Sequence, residues 1–438
     1  MAGSPTTTLS MIDDVMDRQG ISSAQITIIV IALILNMLDG FDVTAMAFTA
    51  HSIGESLQIP PQQLGIVFST ALAGMMLGAM FLAPYSDVIG RRNMLLICVL
   101  AIGASMVLTG YTTALWQLVI LRAITGLGVG SMLASLATIT SEYTPARYRS
   151  LTVVSITAGY PLGATMGGFI AAPLLTEYGW PSIFFVGGVA TLLMVAVVYL
   201  WVPESLQFLI TKRPPGALEK INDALVKMDK EPLKELPAAP AATEASKASV
   251  FSLLTPERRA RTLQLWSTFF FCFISLYFLM SWVPKLVINS GLSEAQGVYG
   301  AVAFNGGGVI GILMLGWMAA GRSLSQLIAV FLCGAAITMT AFATLADHLP
   351  LLVSLAVIGF LLQGGFTGLY AVAAKIYPTE VRTTGVGWAI GLGRFGAVVG
   401  PYVGGIFIAM GMSMELNFYI FAVPMALAGL LAFRLKVQ

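Results

Sequence analysis

Asp39 and Asp42 stand three residues apart in "LNMLDGFDVTAM", inside the apolar run 25–49. That spacing puts both carboxylates on one face of a helix. At bilayer depth each charge costs about 2.5–3.5 kcal/mol on insertion scales, so such residues are rarely incidental. Two neighbouring carboxylates in a low dielectric do not readily both ionise, which is what a site that takes up and releases a proton requires. The plainer reading, helix-end or ion-pair residues, applies most to Asp42 near the outer rim of the run.

Two positive charges fall at similar depth, Arg122 in "LRAITGLGVGS" and Arg394 in "GLGRFGAVVGP". Either could neutralise an aspartate. A buried guanidinium also presents a planar fork that matches a carboxylate. Arg394 is assigned to an anionic substrate and Arg122 to coupling with Asp39 and Asp42; the alternative makes both structural ion-pair partners. Tyr160, Tyr277, Trp282, Asn305, Gln363, Tyr370 and Trp388 offer ring faces and hydrogen-bonding groups to such a ligand. Taken singly, each more often packs a core or sits in an interfacial belt. Trp282 beside Pro284, and Asn305 before "GGG", are preferred because glycine and proline irregularities mark cavity-lining backbone.

The elements that must position these groups are membrane helices. Of the 438 residues 57% are hydrophobic and 10% charged, and the mean hydropathy is +0.86, which excludes a soluble globular chain. Apolar segments fall at 25–49, 63–84, 93–111, 116–140, 150–174, 182–202, 263–288, 296–319, 323–345, 350–374, 384–410 and 416–434. Each is long enough to cross about 30 Å of hydrocarbon. Placing both termini in the cytoplasm gathers Arg91, Arg92, Arg147, Arg149, Arg322, Arg382, Arg434 and Lys436 on one side and leaves essentially Lys285 on the other. The positive-inside rule then requires an even number of crossings, twelve here, with ten or fourteen meeting the same parity.

A polar segment separates two sets of six. In it Leu218, Ile221, Leu225 and Met228 keep helical spacing, which predicts an interfacial amphipathic helix, followed by the linker "EPLKELPAAPAATEASKAS". The expected division is a cytoplasmic N-terminus 1–24, a six-helix bundle 25–205, a cytoplasmic linker 206–261, a second bundle 262–434 and a cytoplasmic tail 435–438. At an offset of 233 residues Pro145/Pro378, Arg149/Arg382, Gly126/Gly359, Gly163/Gly396 and Gly167/Gly400 coincide, the trace of a duplicated six-helix unit. Parallel six-helix repeats bind substrate near the midplane between the halves.

Other chemistries lack their residues. There is no phosphate-binding loop of the G-x-x-x-x-G-K-S/T kind, and "GLGRFG" lies inside an apolar run with no preceding strand. The two histidines, His51 and His348, are placed in outer loops, and Cys98, Cys272 and Cys333 are scattered, so no metal site or disulfide framework is expected. No basic, aromatic-interleaved stripe points to nucleic acid. The first apolar run follows acidic residues rather than a basic leader region and is read as a retained helix.

"APYSDVIGRRNML" closely resembles the loop signature G-x-x-x-D-R-x-G-R-R/K of the major facilitator superfamily, with Ala83 and Val88 at two departing positions. The second-half equivalent, "GWMAAGRSLSQ", keeps only fragments. "SEYTPARYR", "GYPLGATMGG", "PESLQFL" and "YPTEVRTTGVGW" extend the resemblance over nearly the whole chain. It implies a cytoplasmic gate carrying Asp87, Gly90, Arg91 and Arg92, with ion pairs Glu142–Arg149 and Glu380–Arg382, and Asp87 as the latch between halves. Asp-Gly-Phe-Asp together with "YPTEVRTTGVGWAIGLGRFGAVVGP" is similar to the aromatic acid:proton symporter family. That resemblance implies a monomer in a bacterial-type inner membrane, importing a benzoate-like or related organic carboxylate, with protons as coupling ion and no other cofactor, and requiring its helix 1 aspartates. Drug or organic-ion export, sugar uptake and a non-transporting sensor remain the alternatives.

Overall fold

The computed structural model describes residues 20–236, 250–319, 322–345, 350–377 and 379–435. The described chain is helical, without strands. Six long helices come first: α1 (Ser23–Ser56), α2 (Pro61–Leu77), α3 (Arg91–Thr109), α4 (Leu115–Tyr143), α5 (Ala146–Tyr178) and α6 (Trp180–Trp201). The short α7 (Leu206–Lys212) and α8 (Ala217–Lys227) follow. Then come α9 (Arg259–Asn289), α10 (Glu294–Met318), α11 (Leu324–Thr344), α12 (Leu351–Ile376), α13 (Thr379–Ala409) and α14 (Met414–Arg434). With twelve long helices, both ends of the described chain lie on one side.

Local sequence explains the boundaries. Ser22 and Gln25 form a reciprocal capping box at the start of α1, and Ser293 with Gln296 does the same for α10. Beyond Leu77, α2 continues through a π turn (Gly78–Leu82), a 3-10 turn at Pro84 and a last α turn (Ser86–Ile89). Gly90 ends it at φ 98°, a conformation that glycine adopts without strain.

Among the described residues, eleven long helices are apolar enough to span a bilayer by length and composition. The twelfth, α5, is 33 residues long and carries glycine, threonine and proline through Gly159–Gly168. Packing accounts for this, because α5 lies against α1 on one side and α10 on the other. A Cβ on Gly163 would fall inside the backbone of Met37, and one on Gly40 inside that of Tyr160. Close helix approach through small residues drives association where lipid competes with aliphatic side chains. Gly163→Leu is therefore expected to abolish a monodisperse folded species on size exclusion. Gly316→Ala, at a position with nothing within 4 Å, should leave it intact.

The glycines that coincide at an offset of 233 occupy equivalent contacts. Gly126 lets α4 meet α2 at Ala71, and Gly359 lets α12 meet α10 at Phe304. Gly163 joins α5 to α1 while Gly396 joins α13 to α9 at Phe270. Within α1–α6 and within α9–α14 the helices pack on one another, and the two sets meet where α2 touches α13, α5 touches α10 and α1 touches α9.

The amphipathic segment departs from expectation. Ile221, Leu225 and Met228 are buried by protein rather than left for a membrane surface. Asn222 exchanges two hydrogen bonds with the Leu233 backbone (2.7 and 3.0 Å), folding the following chain over α8. Residues 237–249 of the Pro/Ala-rich linker lie outside the described residues. The large side chains left exposed, such as Leu100, Leu193, Leu313, Ile337 and Leu430, form the surface that lipid covers.

Candidate functional site

The two aspartates of α1 face different partners. Asp42 Oδ1 accepts from Arg122 of α4 at 2.9 Å, with both side chains within 3% of full burial. Arg122 also donates to Thr109 Oγ1 at 3.1 Å, and its guanidinium lies 5.4 Å from the Phe184 ring centre. This is a closed ion pair inside the first half. Asp39, 2% exposed, has no hydrogen-bond partner on either oxygen among the described residues. A carboxyl so placed is energetically incomplete until it holds a proton or receives a partner.

The unpaired cation whose field reaches Asp39 is Arg394. The half-buried guanidinium makes no ion pair or hydrogen bond among the described residues, yet lies within electrostatic reach of Asp39, Tyr160, Tyr277 and Tyr370. The Tyr160 hydroxyl is buried and also unpartnered. Tyr277 stacks on Phe273 at 5.6 Å, and Tyr370 packs edge-on to Phe269 and Phe366. One acid, one base and three phenols thus converge from α1, α5, α9, α12 and α13. Tyr277 also lines a small neighbouring cavity whose walls include Asp42, Arg122, Phe68, Met75 and Ser281.

The remaining ligand candidates divide. Gln363 Nε2 donates to Asn305 Oδ1 at 3.3 Å, and Asn305 Nδ2 donates to Ala301 O, so these two amides join α10 to α12. Trp282 is not available to a ligand, because it is fully enclosed, donates Nε1 to Pro401 O at 2.8 Å and sets its ring against Phe68 at 5.2 Å. The proline irregularity beside it serves a helix contact instead of a cavity. Trp388 is 39% exposed beside Trp266, off the Asp39–Arg394 cluster.

The halves touch tightly at the end away from the chain termini. Ser69 donates to Val398 O at 2.6 Å, Ser52 donates to Glu294 at 2.5 Å, and a Cβ on Gly65 would stand 3.0 Å from Pro401 O. Toward the other end, α13 has open space over Gly387 and Gly391, two turns and one turn before Arg394 on a common face.

A sequence profile described as Major Facilitator Superfamily matches residues 32–349. The chain belongs to this superfamily. It is a multi-pass membrane transporter. It is 33% identical to the 4-hydroxybenzoate transporter PcaK of Pseudomonas putida, over 94% of this chain and 93% of that protein. It is 31% identical to the gallate transporter of Pseudomonas putida, over 96% and 93%. The D-xylose-proton symporter superposes with a TM-score of 0.74 at 18% identity, covering 94% of this chain and 98% of that one. The inward open conformation of the xylose transporter XylE from E. coli gives 0.71 at 18% identity, covering 94% and 97%.

The superfamily signature forms a network at the end bearing the termini, paired differently from the expectation. Glu142 pairs with Arg91, not Arg149, and accepts from Ser205 Oγ at 2.7 Å. Arg149 donates Nε to Ser141 O. Asp87 has its side chain 66% exposed and among the described residues meets only Arg91, one turn on at 3.2 Å, an ion pair internal to the first half. Arg92 donates to the Tyr199 carbonyl and lies over that ring. The side chains of Glu380 and Arg382 lie outside the described residues.

Glu204, unassigned from sequence although "PESLQFL" is part of the superfamily pattern, is the hub. It accepts from the backbone N–H of Arg91 (2.8 Å) and Arg92 (3.0 Å), capping α3, and its own carbonyl accepts from Tyr143 Oη at 2.6 Å. A Cβ on Gly90 would collide with its carboxylate, a second reason for glycine there. Removing Glu142 leaves the mostly buried Arg91 guanidinium with only the exposed Asp87 as an acidic partner among the described residues. Glu142→Ala is expected to destabilise the protein by roughly 1–3 kcal/mol, read as a lowered thermal midpoint in detergent.

Proposed function

We propose that this chain imports an aromatic carboxylate together with protons by alternating access. The observation that carries the reading is the placement of two unpartnered groups, Asp39 and Arg394, within electrostatic reach of one another and of Tyr160, Tyr277 and Tyr370, on opposite halves. In this reading the Arg394 fork takes the substrate carboxylate, and the phenols offer hydroxyls and ring edges to a hydroxylated ring. A carboxylate on Arg394 removes the positive field next to Asp39, so Asp39 carries a proton while substrate is bound. Arg122 holds Asp42 in place as the second member of the coupling site. Asn305 and Gln363 shape the wall beyond Tyr370.

Substrate class is supported by relatives named for 4-hydroxybenzoate and gallate at 31–33% identity over more than nine-tenths of the chain. Charge favours a coupled proton, since a potential of 100 mV opposes entry of one negative charge by about 2.3 kcal/mol. The protein sits as a monomer in a bacterial inner membrane with both termini cytoplasmic. The end closed by Ser52, Ser69 and Trp282 then faces outward, and the open face of α13 leads to the cytoplasm.

The test is uptake of labelled 4-hydroxybenzoate into proteoliposomes under an inward proton gradient. Accumulation above the external concentration that collapses with a protonophore supports the proposal. Gradient-driven expulsion, or binding without flux, overturns it.

A further inference from the structure

One cation lies outside the site just described. Lys285 of α9 is 7% exposed, and its ammonium makes no hydrogen bond or ion pair among the described residues. It rests against the last turn of α1, 3.5 Å from where a Gly54 Cβ would stand, with Glu55 as its electrostatic neighbour. Glu55 itself is mostly exposed and paired with His51 at 3.3 Å. What compensates Lys285 is therefore diffuse: the negative end of the α1 dipole and a carboxylate engaged elsewhere. Glycine at 54 allows this approach.

The surroundings make that cation singular. At this end the described helix termini carry Glu55, Glu177, Glu294 and Glu415 and no other lysine or arginine. An arriving carboxylate meets repulsion everywhere except at Lys285. The same turn of α1 is tied across the halves by Ser52 and Glu294, so parting the halves here must also strip Lys285 from α1.

Resting on the importer reading above, we propose that Lys285 is the entry-side docking residue for the anionic substrate. When the halves separate at this end, the ammonium exchanges the α1 terminus for the incoming carboxylate, which then passes inward to Arg394. A ligand that binds only the separated state shifts the equilibrium toward it, so docking favours opening. Lysine suits a way-station: a point charge on a flexible stem holds an anion without the two-point grip of arginine.

Lys285→Met, with Lys285→Arg as the charge-retaining control, is compared with the parent protein in proteoliposomes, using 4-hydroxybenzoate supplied from either face. The expected result is an external KM about tenfold higher in Lys285→Met, an internal KM for efflux within twofold of the parent, and near-parent values for Lys285→Arg. Added salt should slow subsaturating uptake by the parent and not by Lys285→Met. An unchanged external KM, equal shifts on both faces, or a fall in kcat alone overturns the docking role and leaves Lys285 a packing residue. Absence of flux in the parent protein overturns the importer reading as well, whereas parent flux with an unaltered Lys285→Met overturns only the docking site.

Discussion

Replacing Arg394 with glutamine is expected to lower kcat/KM for 4-hydroxybenzoate uptake by 100-fold or more. Glutamine keeps the length and polarity of the position but loses the charge and the fork. Two charge-assisted hydrogen bonds to a carboxylate are each worth about 1.5–3 kcal/mol, so their loss exceeds the roughly 2.7 kcal/mol that corresponds to 100-fold. Folding should survive, because Arg394 has no hydrogen-bond or ion-pair partner among the described residues. A monodisperse Arg394→Gln protein with parental uptake would sink the substrate role. Arg394→Lys should recover only part of the loss, since an ammonium does not match the planar carboxylate.

The second large effect concerns coupling. Asp39→Asn fixes the position in a neutral form that resembles the protonated acid. Exchange of labelled for unlabelled substrate should continue, while accumulation driven by a proton gradient should vanish. For each coupled proton one pH unit is worth about 1.4 kcal/mol, or tenfold in accumulation, so the internal-to-external ratio is expected to fall from about ten or more to about one. Asp42→Asn should behave differently. It strands Arg122, a 1% exposed guanidinium, so the expected result is loss of folded protein, restored in part by pairing the change with Arg122→Gln. Accumulation by a folded Asp39→Asn protein equal to that of the parent would remove Asp39 from the coupling step.

What could be read beforehand was whatever carries a large penalty in lipid. Asp39, Asp42, Arg122 and Arg394 stand out because a charge at membrane depth is expensive, and the apolar runs stand out because hydrocarbon has a thickness. The repeated glycines were visible as coincidences, and packing explains them: Gly126 and Gly359, Gly163 and Gly396 occupy equivalent helix contacts. Partner choice was not visible. Whether Glu142 meets Arg91 or Arg149 depends on how the ends of α3, α4 and α5 converge, and no spacing within one helix encodes that. Trp282 misled for a related reason, since a proline beside a tryptophan marks an irregular backbone without saying whether ligand or helix fills the irregularity. Glu204 stood in a connecting segment, where charge is unremarkable until the bare N-terminus of α3 is seen to point at it.

The backbone-to-backbone seam of α1 and α5 constrains motion. With Gly40 on Tyr160 and Gly163 on Met37, no space remains for these helices to slide or part, so Asp39 and Tyr160 travel together as one rigid piece. Arg394 and Tyr277 belong to the other piece. The surroundings of the Asp39 carboxyl can therefore change only when the angle between the pieces changes. Protonation at Asp39 becomes a gauge of that angle, and by reciprocity the angle answers to the proton.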